Sequence, residues 1–127
     1  MEEKRNLNER LLEYGARTIK LVESLPRSLV GRGIGDQLLR SGTSVGANYE
    51  EAQAAESRED FVHKLQIALK ELRESNYWLR LLVRAGVFAP PKMADLLDES
   101  NQLRAILSKA VATAKGKSKA ETNTKEA

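Results

Sequence analysis

The chain has 127 residues, of which 41% are hydrophobic and 31% charged, with no cysteine and a single histidine. That length admits one hydrophobic core and no second domain, and the missing thiols exclude disulfides, thiolate metal sites and thiol nucleophiles. Lys+Arg 21 against Asp+Glu 18 leaves a net +3, an excess that permits an acidic partner without demanding one. Met1-Glu2-Glu3-Lys4-Arg5-Asn6 carries no apolar segment of the kind a cleaved signal peptide needs. No apolar run reaches the ~20 residues of a membrane span, because Arg80 and Arg84 interrupt the best stretch. A soluble, cytoplasmic protein with no membrane partner is expected.

The first helix is predicted over 7–25. Asn6-Leu7-Asn8-Glu9 sets a capping side chain before a carboxylate three positions on. Leu7, Leu11, Tyr14, Thr18, Leu21 and Leu25 then alternate steps of four and three, which is one stripe of a helix. A second stripe at Leu12, Gly15, Ile19 and Val22 widens the arc beyond what one neighbouring helix covers. Pro26 stops this helix, and Pro26 to Gly33 is expected to be a loop.

The second helix is predicted over 34–55, with its seam at Ile34, Leu38, Ser41, Val45, Asn48 and Ala52. Gly35, Gly42 and Gly46 lie inside it, and each interior glycine costs about 0.8–1 kcal/mol relative to alanine. Close packing against another helix is needed to offset that, and Gly42 and Gly46 beside Ser41 and Ser44 form a flat face suited to it. The step pattern is the same on both sides of the glycines, which favours one continuous helix over two.

Helix three is predicted over 58–85. Ser57-Arg58-Glu59-Asp60 repeats the cap-and-carboxylate pattern, and Phe61, Leu65, Ala68, Leu72, Ser75, Leu79 and Leu82 follow in register until Gly86. Pro90-Pro91 opens a fourth helix over 91–114, proline being tolerated in a first turn. Met93, Leu96, Leu97, Leu103, Leu107, Ala110 and Ala114 are its apolar residues, and Gly116 is its expected stop. The basic segment 115–127 holds no apolar residue larger than alanine and is expected to be disordered. Four helices with short loops and no strand pattern predict an all-α, antiparallel up-down-up-down four-helix bundle.

Residues 36–52 carry a recognisable motif. Gln37-Leu38-Leu39-Arg40-Ser41-Gly42-Thr43-Ser44-Val45-Gly46-Ala47-Asn48-Tyr49-Glu50-Glu51 resembles the Q-L-x-R-(small)-x-x-S-(V/I)-x-x-N-x-x-E core of a bacterial family. These are the four-helix-bundle proteins related to those encoded in intervening sequences of large-subunit ribosomal RNA. The likeness extends through Ser57, Asp60-Phe61, Lys64-Leu65, Ile67-Ala68-Leu69-Lys70-Glu71 and Tyr77-Trp78-Leu79. It departs from the commoner pattern at Tyr49-Glu50 and Ala52, which places the chain in a sub-branch. The resemblance implies a left-handed antiparallel bundle, a homo-oligomer that is a pentamer by family precedent, and no catalytic activity. A distantly similar branch assists retroelement reverse transcriptases by binding nucleic acid, an analogy of fold rather than of site.

Catalytic chemistry finds little to build on. A di-metal bundle needs two Glu-x-x-His motifs, and His63 is the one histidine; it falls on the outer face of helix three. A nucleophile–base pair has the same shortage, and Gly31-Arg32-Gly33-Ile34-Gly35 follows a helix and lacks a Gly-Lys-Ser/Thr ending. No enzyme activity, metal or cofactor is expected. The polar seam of helix two (Gln37, Arg40, Ser41, Ser44, Asn48 and Glu51) reads more readily as buried polar groups fixing helix register than as a ligand pocket.

Helix three offers the most informative surface. Opposite its seam lie His63, Gln66, Lys70, Arg73, Tyr77, Arg80 and Arg84, a stripe with four permanent cations and no acid over ~20 Å. Lys70, Arg73, Arg80 and Arg84 suit backbone phosphates, with Tyr77 for stacking; pairing with acids of a neighbouring subunit is the structural alternative. Trp78, Leu81 and Phe88, with Leu12, Ile19 and Val22 of helix one, exceed what four helices need to cover and are expected at a self-association interface. Their alternative is one wide core. The combined expectation is a homo-oligomer that binds RNA or another nucleic acid; a scaffold binding only protein is the rival, and a small-molecule binder or enzyme comes third.

Overall fold

In a computed structural model the chain forms four helices, α1 (Leu7–Glu23), α2 (Leu29–Gln53), α3 (Arg58–Arg84) and α4 (Pro90–Glu126). The structure describes residues 6–126, and their side chains as far as Lys117. No strand occurs among the described residues, and the fold is an all-α four-helix bundle. Local chemistry sets each start. The Asn6 side chain accepts the amide of Glu9 at 2.8 Å, and Ser57 that of Asp60 at 3.0 Å, so each ties down a first-turn N–H that has no partner inside the helix. Gly86 at φ 77° ends the path beyond α3 in a backbone region that favours glycine.

Two boundaries differ from the sequence expectation. The second helix begins at Leu29 and not near Ile34, because Ser28 is its cap and accepts the amide of Gly31 at 3.1 Å. A Cβ at Gly31 would stand 1.9 Å from the carbonyl oxygen of Pro26, so the glycine lets the helix start directly against the proline turn. The expected Pro26–Gly33 loop therefore shrinks to the few residues before Leu29. At the other end α4 does not stop at Gly116 but continues to Glu126, so the expectation of a disordered segment over 115–127 is corrected as far as that residue. Gly116 lacks the positive φ of a helix-ending cap, and one interior glycine costs only ~1 kcal/mol among lysine, alanine and glutamate, which favour helix. Ala127 and residues 1–5 lie outside the described residues.

Packing follows the stripes. α1 lies against α2 and α4, α2 against α3, and α3 against α4, so α1 and α3 face each other across the core. Leu11, Tyr14, Leu21, Leu38, Val45, Leu65, Leu72, Leu79, Leu82, Met93, Leu103 and Leu107 are all buried there. Each leucine contributes roughly 1.5–3 kcal/mol by leaving water. Between α1 and α2 the approach is close: an added Cβ at Gly42 would meet Thr18 Cγ2 at 2.6 Å and Oγ1 at 2.8 Å, while one at Gly46 would find Leu11 at an ordinary 3.5 Å. Only the first of the two glycines is needed for the approach.

The polar seam of α2 is satisfied differently from expectation. Ser41 donates to the Gln37 carbonyl at 2.8 Å, Ser44 to that of Arg40, and Asn48 to that of Ser44 at 2.9 Å, all one turn back on their own helix. Ser41, Ser44 and Asn48 do not bond one another, and Gln37, Arg40 and Glu51 are exposed rather than buried, with Arg40 donating to Gln37 Oε1 at 3.3 Å. The buried polar layer lies instead across α1, α3 and α4. Tyr14 and Ser75 hydroxyls meet at 2.7 Å; Ser75 donates to the Leu72 carbonyl at 2.9 Å, which leaves Tyr14 as donor of the pair. Burial pushes the Tyr14 phenol up from its ordinary value, against the pull of hydrogen bonds with Ser75 and Ser100. Beside it Asn76, fully buried, donates to Ser100 Oγ at 2.9 Å and Asn101 Oδ1 at 3.1 Å.

Candidate nucleic-acid interface

The charges of α3 are sorted onto two sides. Glu71 and Glu74 both pair with Arg40 of α2, Glu71 at 2.7 Å, and Glu74 also accepts the Trp78 indole N–H at 3.1 Å. The Arg40 hydrogen bond, then that of Trp78, holds the Glu74 carboxyl below its ordinary value of 4.5, with smaller help from the charges of Arg40 and Lys70. Its depressed value stabilises the fold above the unfolded pKa, and that contribution is lost as pH falls through the folded one. Glu74→Gln is therefore expected to flatten the acid limb of stability, read as urea midpoints between about pH 6 and about pH 3. The effect at neutral pH is modest, since Arg40 is half exposed and solvent screens the pair. An unchanged acid limb would show that Glu74 makes no such contribution.

With Glu71 and Glu74 taken up on the α2 side, α3 turns Lys70, Arg73, Arg80 and Arg84 toward α4. Lys70, Arg73, Tyr77, Arg80 and Arg84 are all exposed. Among the described residues none of these four cations lies in an ion pair, whereas Arg10, Arg40 and Lys64 each have a carboxylate partner. They border two grooves between α3 and α4. One, of about 490 Å³, is lined by Gln66, Lys70 and Arg73 with Ser108 and Lys115 of α4. The other, of about 410 Å³, is lined by Tyr77, Arg80, Leu81, Val83 and Arg84 with Leu97.

Asn76 joins the helices at this level. Its Oδ1 accepts Arg80 Nε at 2.9 Å and Arg104 Nη1 at 3.2 Å, so its two donors and both lone pairs are used. The Arg80 guanidinium also lies 5.7 Å from the centre of the Tyr77 ring, which meets Trp78 edge-on at 5.2 Å. Sequence reasoning missed Asn76, Ser100, Arg104 and Lys115. Ser100 was nonetheless legible, standing four residues after Leu96 and three before Leu103.

The apolar residues expected at a self-association interface are dispersed. Leu12 and Ile19 are exposed and border an α1–α2 groove of about 400 Å³ with Gly15, Ala16, Thr43 and Ala47. Leu81 lines the α3–α4 groove. Val22 and Trp78 are half-buried against the core. Phe88 is 8% exposed and part of that core; its assignment to an interface is corrected, because the chain after Gly86 folds it back onto α3. His63 is exposed. Among the described residues no three of His, Cys, Asp and Glu stand close enough to hold a metal ion, and no helix is long and apolar enough to cross a membrane.

Fold and grooves together define the class: an all-α four-helix bundle whose third helix lines the grooves beside the fourth with cations that have no carboxylate partner among the described residues. The chain belongs to the 23S rRNA-intervening sequence protein family, which it matches over residues 5–109. It is also similar to a crystal structure of a protein of unknown function from the S23 ribosomal protein family of Bacteroides thetaiotaomicron VPI-5482. The two are 35% identical with a TM-score of 0.77, over 84% of this chain and 98% of that one. Among curated proteins no match is found.

Proposed function

We propose that this protein is a non-catalytic, cytoplasmic nucleic-acid-binding bundle that takes RNA along the α3–α4 face and works as a homo-oligomer. The observation that carries the reading is the separation of charge on α3. Arg40 takes both nearby acids, and Lys70, Arg73, Arg80 and Arg84 are left on one face without a carboxylate partner among the described residues. Cations repeated every one or two turns suit successive phosphates, and the family's name associates it with ribosomal RNA genes. Multiple copies in an oligomer would add weak single-site binding together.

Salt dependence tests it. The triple change Lys70→Ser, Arg73→Ser, Arg84→Ser spares Arg80 and the buried network, and is expected to weaken binding of a generic RNA at least ~30-fold at low salt. The slope of log affinity against log salt should fall by about 2, or ~0.7 for each phosphate of a single strand that is no longer neutralised. No retardation of RNA by the wild-type protein at low salt, or an unchanged slope in the triple variant, overturns the reading.

One observation favours the rival, a scaffold that binds only protein. Leu12 is 69% exposed on the apolar α1–α2 groove, where Asn8 Oδ1 is buried without a hydrogen-bond partner among the described residues. The same surface serves self-association in the favoured reading. Leu12→Asp, with light scattering, separates the two. A smaller particle that still binds RNA supports the favoured reading; one that never bound RNA leaves the scaffold.

A further inference from the structure

The α3–α4 groove at Tyr77 combines charge with apolar surface. Three aliphatic side chains, Leu81, Val83 and Leu97, share its lining with one aromatic ring and two arginines, and no carboxylate joins them. Its volume of about 410 Å³ lies within the range of small-ligand sites, in which mostly apolar walls carry a few placed polar groups. Tyr77 is 47% exposed, yet Arg80 and Trp78 hold its ring in place.

Arg80 is oriented from behind. Its Nε is bonded to Asn76 Oδ1, and the same oxygen receives Arg104, so two guanidinium donor nitrogens are held no more than about 6 Å apart with no acid between them. Like charges at that separation repel, and an anion bound between or beside them removes the penalty. Because Nε is engaged, the two Nη groups of Arg80 remain unpartnered among the described residues and available to two oxygens of one phosphate.

We propose that this groove takes up an unpaired nucleotide of a single strand, its phosphate on Arg80 and Arg84 and its base against Tyr77 and the Leu81–Val83–Leu97 floor. The inference rests on the nucleic-acid reading above and narrows it to strands whose bases are free. A duplex stacks its base faces on one another, so it would meet only the cations and leave the ring and the aliphatic floor unused. A free base fills both, and aromatic stacking accepts any base, which implies little sequence preference. Arg104 and Asn76 are positioning residues that act through Arg80.

Fluorescence anisotropy at low salt tests this with two labelled RNAs of about a dozen nucleotides, one single strand and one blunt duplex. The wild-type protein is expected to favour the single strand about tenfold. Tyr77→Leu should lose most of that preference with duplex binding unchanged, and Tyr77→Phe should retain it. Arg84→Gln, a second variant at an exposed position, should weaken both probes. If neither RNA binds the wild-type protein, the nucleic-acid reading falls, and this inference with it. If both bind and Tyr77→Leu weakens both alike or neither, the nucleotide site is overturned while the cationic face stands.

Discussion

Asn76→Ala is expected to destabilise the bundle by about 3 kcal/mol, a fall of roughly 10 °C in melting temperature for a domain of this size. Asn76 is fully buried, and its amide makes four hydrogen bonds to three side chains of α4 and one of α3. Truncation leaves a cavity and strips a partner from Ser100, which is itself fully buried. The missing bonds alone are worth about 1 kcal/mol each on balance, though Arg80 can turn to water and recover part of its share. Asn76→Asp keeps the acceptor for both guanidinium groups and loses the donors, so it should fall between the alanine variant and wild type. Equilibrium urea unfolding reads both. A destabilisation under about 1 kcal/mol for the alanine variant would mean that water replaces the amide and that the network does not hold α3 to α4.

Gly42→Ala is expected to destabilise by about 2 kcal/mol, although alanine is the better helix former by ~1 kcal/mol. The sign is decided by Thr18. Its Cγ2 and Oγ1 stand 2.6 and 2.8 Å from where the new Cβ must go, and its Cβ stands at 3.1 Å. Rotating the threonine away would break the bond from its hydroxyl to the Tyr14 carbonyl at 2.8 Å, and the branched side chain has few alternatives inside a helix. In a Thr18→Ala background the methyl and hydroxyl are gone and only the 3.1 Å approach of Cβ remains, which a small shift relieves. Gly42→Ala should then be nearly neutral, giving a coupling energy of about 2 kcal/mol between the two sites. Additive effects would show that α1 and α2 separate freely and that the close approach at Gly42 is not needed.

These two residues mark the limits of what sequence spacing conveys. The Gly42 approach was legible: a helix with three interior glycines in unbroken register needs a close neighbour, and a flat face at 42–46 points to where. Which of the two glycines matters was not legible, because it turns on whether Thr18 or Leu11 stands opposite. The cations of α3 were legible as a stripe, since a period near 3.6 places 70, 73, 77, 80 and 84 on one side. Their lack of acidic partners was not, because Glu71 and Glu74 lie close by on the same helix. Only the approach of Arg40, 31 and 34 positions away, removes those acids to the other side.

Four amphipathic helices, the caps at Asn6 and Ser57 and most of the core, from Leu11 to Leu107, follow from spacing and residue type alone. Those properties are local and periodic, set by neighbours within a turn or two. The start of α2 and the end of α4 differ from expectation although they too are local. Ser28 and Gly31 start α2 against the Pro26 turn, and α4 continues past Gly116 on helix propensity. What arises only when the helices meet is the network at Asn76. Asn76 gathers Arg80 and an arginine 28 positions along the chain onto one oxygen. Such pairings depend on which helix faces which and at what height, and no spacing within one helix specifies that.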